Sequence, residues 1–363
     1  MGPTLGIEEE FVLLDPSTLQ TVDIADGAVH ALAAAGGGIV AHEFFRSQVE
    51  FASPVCETAS EAWEAVSAFR RRLGRWAGEA GAVAAGTGTP YRTRGSGHLS
   101  EGERYARIAD DIGGITAEHQ INGLHVHIGL DDREDRVRAL NALRPWLPTL
   151  LALSSNSPFW SGHDTGFDSW RAIHSRRWTT FGVPPAFADA GDYDDTVSAL
   201  IGVGATLDRG TINWNARLSS VYPTLELRVC DAQLDPRSVL TLALLIRALA
   251  AAGAATAVRP PTSSAREGTV RDAALWHAAR YGLGGELVDA DGRLVPAQRA
   301  IRALFEHAAP TLKAHGDLDV VADGLDRLVR RGNGASAQRR AIRGGVSDLA
   351  DLYRASLSAD DRM

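Results

Sequence analysis

The chain has 363 residues, 45 acidic and 37 basic, for a formal net charge of −8. Apolar residues at 45% and charged residues at 23% exclude global disorder and allow one large domain or two small ones. No basic run exceeds Arg70-Arg71-Arg72, so neither a nucleic-acid backbone nor an anionic membrane surface is expected as a partner.

Residues 4–14 read as the first strand, entered without a basic or long apolar leader, so a cytoplasmic location is expected. With a period of two, Glu8 and Glu10 share one face while Ile7, Glu9, Phe11 and Leu13 share the other. Two neighbouring carboxylates on one face repel each other and call for arginine or a hard divalent ion. On this strand alone, a strand end reaching solvent fits equally well.

The segment from His42 to Phe51 carries Glu43 and Glu50, seven residues apart, so both can reach one site where a turn joins two strands. It is not a zincin motif, because position 46 is arginine. A strand is expected at 48–52, a helix at 59–80, and a Gly-rich functional loop at 86–102. The next strand, 124–130, puts His125 and His127 on one face, a stronger metal or phosphate signal than a lone histidine.

One long helix is expected at 131–154 and a long loop at 161–195. The strand at 224–230 sets Glu226, Arg228 and Cys230 opposite Leu225, Leu227 and Val229. A core helix follows at 239–257, capped by Asp235 with Pro236 in its first turn; Arg247 near its centre argues against a membrane span. A surface crossing at 259–268 and helices at 270–281, 296–315, 317–331 and 337–357 complete the pattern.

The whole is expected to be α+β, an antiparallel or mixed sheet with helices packed outside, forming one domain over residues 1–358 with a frayed tail at 359–363. Lys313 is the only lysine, which rules out a Walker phosphate loop. Cys56 and Cys230, the only cysteines, are too few for a disulfide framework and read as buried thiols.

In each of three strands one face is apolar and the other carries adjacent ionisable groups: Glu and Glu, His and His, Glu and Arg. That inventory suits a divalent-metal site with an anion clamp. The segments TLGIEEEFVLLDP, FRSQVEFASP, GLHVHIG, LALSSNSPFWSGHDTGFDSWR and PTLELRVCD, in this order, resemble the carboxylate-amine ligase family called glutamate-cysteine ligase type 2, similar in fold to the catalytic domain of glutamine synthetase.

The resemblance implies ATP and Mg²⁺ or Mn²⁺ as cofactors. Glu8, Glu10, Glu50, Glu226 and, less directly, Glu43 would be metal ligands, with Glu9 at a variable position where Glu9→Gln should be mild. His125 would ligate the nucleotide-side metal, and His127 would contact phosphate or the acyl substrate. Arg228 would face the transferred phosphoryl group and Arg217 the nucleotide phosphates. Arg171 and Thr89 are candidates for the α-carboxylate of an amino-acid substrate.

The implied reaction joins a glutamate-like carboxylate to an amine such as cysteine through an acyl phosphate, with weak glutamate-cysteine ligase activity. The partners are small molecules, and a homo-oligomer is compatible with the sequence. Two competing readings are a metal-dependent amidohydrolase, which leaves the arginines without a task, and a nucleotide-binding relative without turnover.

Overall fold

The computed structural model describes residues 2–34, 36–95, 97–256 and 265–358; the expected tail at 359–363 lies outside them. Its strands are β1 (Leu5–Leu14), β2 (Ile39–His42), β3 (Gln48–Ala52), β4 (Val83–Ala85), β5 (Gly123–Gly129), β6 (Phe159–Trp160), β7 (His163–Asp164), β8 (Ala216–Leu218), β9 (Thr224–Asp231), β10 (Glu286–Val288) and β11 (Leu294–Pro296). The first seven helices are α1 (Ala25–Ala33), α2 (Ala59–Glu79), α3 (Glu103–Ile112), α4 (Arg133–Leu143), α5 (Leu147–Ser154), α6 (Trp170–Ser175) and α7 (Ala190–Gly202). After them come α8 (Pro236–Ala254), α9 (Ala265–Tyr281), α10 (Ala297–His315), α11 (Leu318–Arg331), α12 (Gly334–Ile342) and α13 (Val346–Leu357).

Seven strands form one sheet in the order β2-β3-β1-β5-β9-β8, with β4 paired to the end of β1. Every pairing in it is antiparallel, so the α+β expectation holds with its antiparallel option. One face is apolar. Leu5 and Ile7 of β1, Val126 and Ile128 of β5, and Leu225 and Leu227 of β9 pack beneath α4, α5 and α8, with α10 behind α8. Phe11 and Leu13 of β1 and Val49 and Phe51 of β3 pack against α1 and α2.

On the opposite face the end of β1 is roofed where Val12 and Leu14 meet Tyr91, Phe159 and Tyr353 of α13. Glu8 and Glu10 lie just before that roof, where the sheet floors a cavity. Helix α8 starts as expected: the Asp235 side chain accepts from Ser238 N at 3.0 Å and Pro236 fills the first turn. It is long and apolar enough to span a membrane, with mean hydropathy 1.5, but 78% of that window is buried within the protein. Its Arg247 donates to Asp317 Oδ2 at 2.5 Å and to the Glu57 carbonyl at 2.9 Å, which meets its buried charge.

Several boundaries differ from the pattern-based expectation. The 131–154 helix is broken into α4, a 3₁₀ turn at Arg144–Trp146 and α5, because Pro145 and Pro148 remove backbone donors there. The 337–357 helix splits into α12 and α13 at Gly345, whose φ of +110° no helix accommodates. The 161–195 loop holds β7, α6 and the start of α7. Of the 259–268 crossing, residues 259–264 lie outside the described residues and 265–268 open α9. Short α1 and α3 escaped periodicity altogether, whereas 86–102 is free of regular elements among the described residues.

Glu9 lies on the face opposite Glu8 and Glu10, as alternation expects. It is fully buried on the helical side, where Arg70 of α2 grips both its oxygens, Nε donating to Oε2 at 3.1 Å and Nη2 to Oε1. Arg70 also donates to the carbonyls of Gln233 and Leu234, each at 2.8 Å, and so ties β1, α2 and the end of β9 together. Removing one charge from a buried pair strands the other. Glu9→Gln is therefore expected to cost about 3 kcal/mol of unfolding free energy, read by urea denaturation, even where its effect on turnover is mild.

Candidate active site

The strand registers set the ionisable groups side by side. Glu10 lies opposite Glu50 of β3, Glu8 opposite His125, His127 opposite Glu226, and Glu226 opposite Arg217 of β8. Cross-strand partners share a face and lie within contact distance, so residues far apart in sequence converge on one patch. They line a cavity of about 420 Å³ together with Glu43, Arg171 and Arg228.

A β-bulge completes the arrangement. Between Leu124 and Val126 the register on β9 slips by one residue, from Cys230 to Leu227. The slip reverses the alternation. Arg228 stays on the site face, Cys230 turns to the helical side opposite Leu124, and Asp231 returns to the site side. The placement of Cys230 beside Glu226 and Arg228 is thereby overturned, since strict alternation cannot foresee a bulge.

Two acidic groups share the patch. In the first, ligand atoms of Glu8, His127 and Glu226 all lie within 4.8 Å of one another. Glu8 contacts His127 Nε2 at 3.1 Å and His125 Nδ1 at 3.2 Å. Burial would push its carboxyl up, but the hydrogen bonds from His125 and His127 outweigh that and hold it well below the usual carboxylate range. Burial also raises Glu226, and the Arg228 and Arg217 charges overcome it, holding that carboxylate ionised. Arg217 donates to Glu226 from Nε at 2.7 Å and Nη2 at 3.1 Å, and from Nη1 to the carbonyls of Gly210 and Ile212 at 2.7 Å each. Most of its donor capacity is thus spent on orienting Glu226. Arg228 donates to the same carboxylate.

The second group is Glu10, Glu43 and Glu50. Burial, then the neighbouring Glu43 charge, raises Glu10 to about 8. Burial likewise raises Glu43 and Glu50, the latter also through the charges of Glu43, Glu8 and Glu10. Glu10 accepts from Gly123 N at 2.6 Å. Three buried carboxyls whose proton affinity burial and neighbouring carboxylates raise form a site in want of positive charge. His125 Nε2, buried and without a hydrogen-bond partner among the described residues, lies 3.7 Å from Glu10 Oε1. This oxygen-rich donor set with two imidazoles fits hard divalent ions.

Of the expected site residues, Glu8, Glu10, Glu43, Glu50, His125, His127, Arg171, Arg217, Glu226 and Arg228 meet in this one cavity. His127, rather than His125, joins the compact cluster with Glu8 and Glu226. Thr89 does not belong: its hydroxyl donates to the Phe159 carbonyl at 2.8 Å, and that hydrogen bond belongs to the roof over β1. Sequence reasoning missed the far wall, formed by Arg104, Tyr105 and Ile108 of α3, His119, Trp178 and Tyr222. These residues sit in segments without periodicity, and no spacing announced them.

A backed antiparallel sheet carrying acidic groups beside arginines on its other face defines a fold with solved counterparts. The fold is shared with a bifunctional glutathione synthetase from Pasteurella multocida, at TM-score 0.70 and 14% identity over 98% of this chain; this chain spans only 52% of that protein's length. It is also shared with the glutamate-cysteine ligase of Francisella tularensis, solved with AMP, at TM-score 0.67 and 13% identity over 99% of this chain and 90% of that one. The profile of glutamate-cysteine ligase family 2 matches residues 4–351. A Saccharopolyspora erythraea protein with the provisional name glutamate-cysteine ligase 2-1 is 40% identical over 94% of this chain and 90% of its own length. A Salinispora tropica protein provisionally named glutamate-cysteine ligase 2 is 37% identical over 99% and 95%. The chain belongs to glutamate-cysteine ligase family 2, and so to the ATP-dependent C–N ligases.

Proposed function

We propose that this ligase joins the γ-carboxylate of glutamate to a small amine, cysteine among the candidates, through an acyl phosphate, with modest activity toward cysteine. The observation that carries the reading is the position of Arg228 between the two acidic groups: it donates to Glu226, approaches His125 Nδ1 at 3.4 Å, and its charge reaches Glu10, Glu43 and Glu50.

A carboxylate does not condense with an amine in neutral water, because its oxygen is a poor leaving group. Transfer of the γ-phosphoryl group of ATP to the carboxylate oxygen releases ADP and makes phosphate the leaving group. The amine nitrogen then attacks the acyl carbon, phosphate departs with the C–O electrons, and the nitrogen gives up its proton. The first step brings two anions together, and Arg228 offsets that repulsion and aligns them. Glu8, His127 and Glu226 would hold one Mg²⁺ or Mn²⁺, and Glu10, Glu43 and Glu50 another. Such ions supply charge neutralisation for phosphate oxygens. Arg217 keeps Glu226 aimed at its ion.

The test is ADP and phosphate release from purified protein with Mg²⁺ and ATP, first with glutamate alone and then with a panel of amines. Amine-dependent ADP release with a matching amount of amide product is the expected result, abolished by EDTA and restored by Mn²⁺. Absence of both ADP release and ATP binding by calorimetry would sink the reading.

A further inference from the structure

The cavity is charged on its floor and apolar on its far wall. Tyr105 of α3, Phe44, His119 and Trp178 line that wall as a continuous ridge of rings, with successive centroids 5.9, 6.4 and 5.0 Å apart. The polar ends of the ridge are used within the protein. The Tyr105 hydroxyl donates to the His42 carbonyl at 2.9 Å, and the Trp178 indole nitrogen donates to His119 Nε2 at 2.7 Å. An imidazole that accepts at Nε2 is neutral, so the ridge carries no cation. Its one uncommitted polar group is the uncharged donor at His119 Nδ1, which has no acceptor among the described residues. Ile108 of α3 adds further apolar surface to the wall.

The ridge begins beside the second acidic group. Phe44 follows Glu43 in the chain, and its backbone N–H donates to the Glu43 carboxyl. The Tyr105 phenol is raised by burial and then by the charges of Glu43 and Glu50, which places it near both. An amine arrives as an ammonium, and carboxylates draw its charged end inward. A tail that follows this end can lie along the rings only if it is apolar or aromatic.

The cations of the cavity point the same way. Four arginines among the described residues line it: Arg104, Arg171, Arg217 and Arg228. Arg217 and Arg228 are bound to Glu226. Arg104 stands at the rim, 59% exposed and 3.8 Å from Asp208 Oδ2, where water screens it and a pairing is worth little. That leaves Arg171 as the one buried guanidinium for a spare carboxylate, and a glutamate donor brings one. An amino-acid acceptor would bring a second, with no buried cation to meet it, and an unpaired charge is costly to bury.

We propose that the amine acceptor of this ligase is a primary amine with an apolar or aromatic tail and no carboxylate, seated along Tyr105, Phe44, His119 and Trp178. This rests on the ligase reading above, whose modest activity toward cysteine then has a cause in the carboxylate that cysteine carries.

The experiment measures ADP release at saturating ATP and glutamate with two pairs of amines that differ only in a carboxylate: 2-phenylethylamine against phenylalanine, and cysteamine against cysteine. Ethylamine serves as the control without a tail. The carboxylate-free member of each pair should lead by at least about tenfold in kcat/KM, and 2-phenylethylamine should lead ethylamine by at least about tenfold. Trp178→Ala should raise KM for 2-phenylethylamine about tenfold and move KM for ATP less than about twofold. Trp178→Phe, which keeps a ring, should recover most of the loss. Ile108→Arg sets a cation in the apolar wall and should shift the preference toward phenylalanine by about tenfold or more.

Phenylalanine or cysteine used as well as its carboxylate-free partner, or ethylamine used as well as 2-phenylethylamine, overturns the acceptor class and leaves the ligase reading standing. An equal rise in KM for ATP and for the amine with Trp178→Ala does the same, because the ridge would then hold the nucleotide base. Absence of ADP release with every amine overturns the ligase reading, and the acceptor class with it. Thermal melts of each variant separate these outcomes from misfolding.

Discussion

Arg228→Lys is expected to lower kcat for ADP release about 10²–10³-fold while changing KM for ATP far less. One nitrogen of the guanidinium, Nη1, reaches the Glu226 carboxylate and His125 at once, and the planar fork holds Nη2 and Nε at fixed positions beside it. An ammonium keeps the charge but not the fork, so it cannot hold Glu226 and still face a transferring phosphoryl group. Burial opposes the charged form, but the charge and hydrogen bond of Glu226 hold Arg228 above its ordinary value. The substitution therefore tests geometry rather than charge. A steady-state assay that finds kcat within about threefold of wild type would remove Arg228 from the transition state.

Glu10→Gln should lower ATP turnover by a similar factor for a different reason. It replaces a carboxylate in the Glu10, Glu43 and Glu50 group with a neutral amide and weakens that group as an ion site. Mn²⁺ affinity measured by calorimetry should fall about 10–100-fold. The amide oxygen can still accept from Gly123 N, so the melting temperature should move little. Set against Glu9→Gln, the pair gives opposite signatures on adjacent residues: one loses turnover and keeps stability, the other loses stability. Equal losses in both measurements at both positions would contradict the alternation of β1.

Much of this site was legible in the sequence because strand alternation is a strict rule. Glu8 with Glu10, and His125 with His127, fall on the right face by counting, and the apolar partners Ile7, Val126 and Leu227 confirm it. Alternation failed where geometry departed from the rule, at the bulge that turns Cys230 away from Arg228. It placed Glu9 on the apolar face but said nothing of its partner Arg70, sixty-one residues away on a helix. Thr89 looked available because a loop threonine carries no mark of whether its hydroxyl is already used. The longer helices from α2 onward were legible by period, apart from α7 and the breaks set by Pro145, Pro148 and Gly345; α1, α3 and α6 were too short to show one. The wall containing α3, His119 and Trp178 was not, because its residues meet only in three dimensions.

The central place of β1 in the sheet bears on how the protein is made. Its flanking strands β3 and β5 lie well downstream, and β9, which supplies Glu226 and Arg228, is more than two hundred residues later. At translation speeds of about 5–20 residues per second, roughly 10–45 s separate the emergence of β1 from that of β9. During that interval β3 and β5 can pair with β1, but β5 keeps an open edge and the site lacks Glu226 and Arg228. The ribosome-bound chain thus offers a long-lived open edge, and contacts this distant in sequence make for slow folding. Chaperone demand should therefore last until β9 emerges, and ion binding by the Glu8, His127 and Glu226 group should appear only after it.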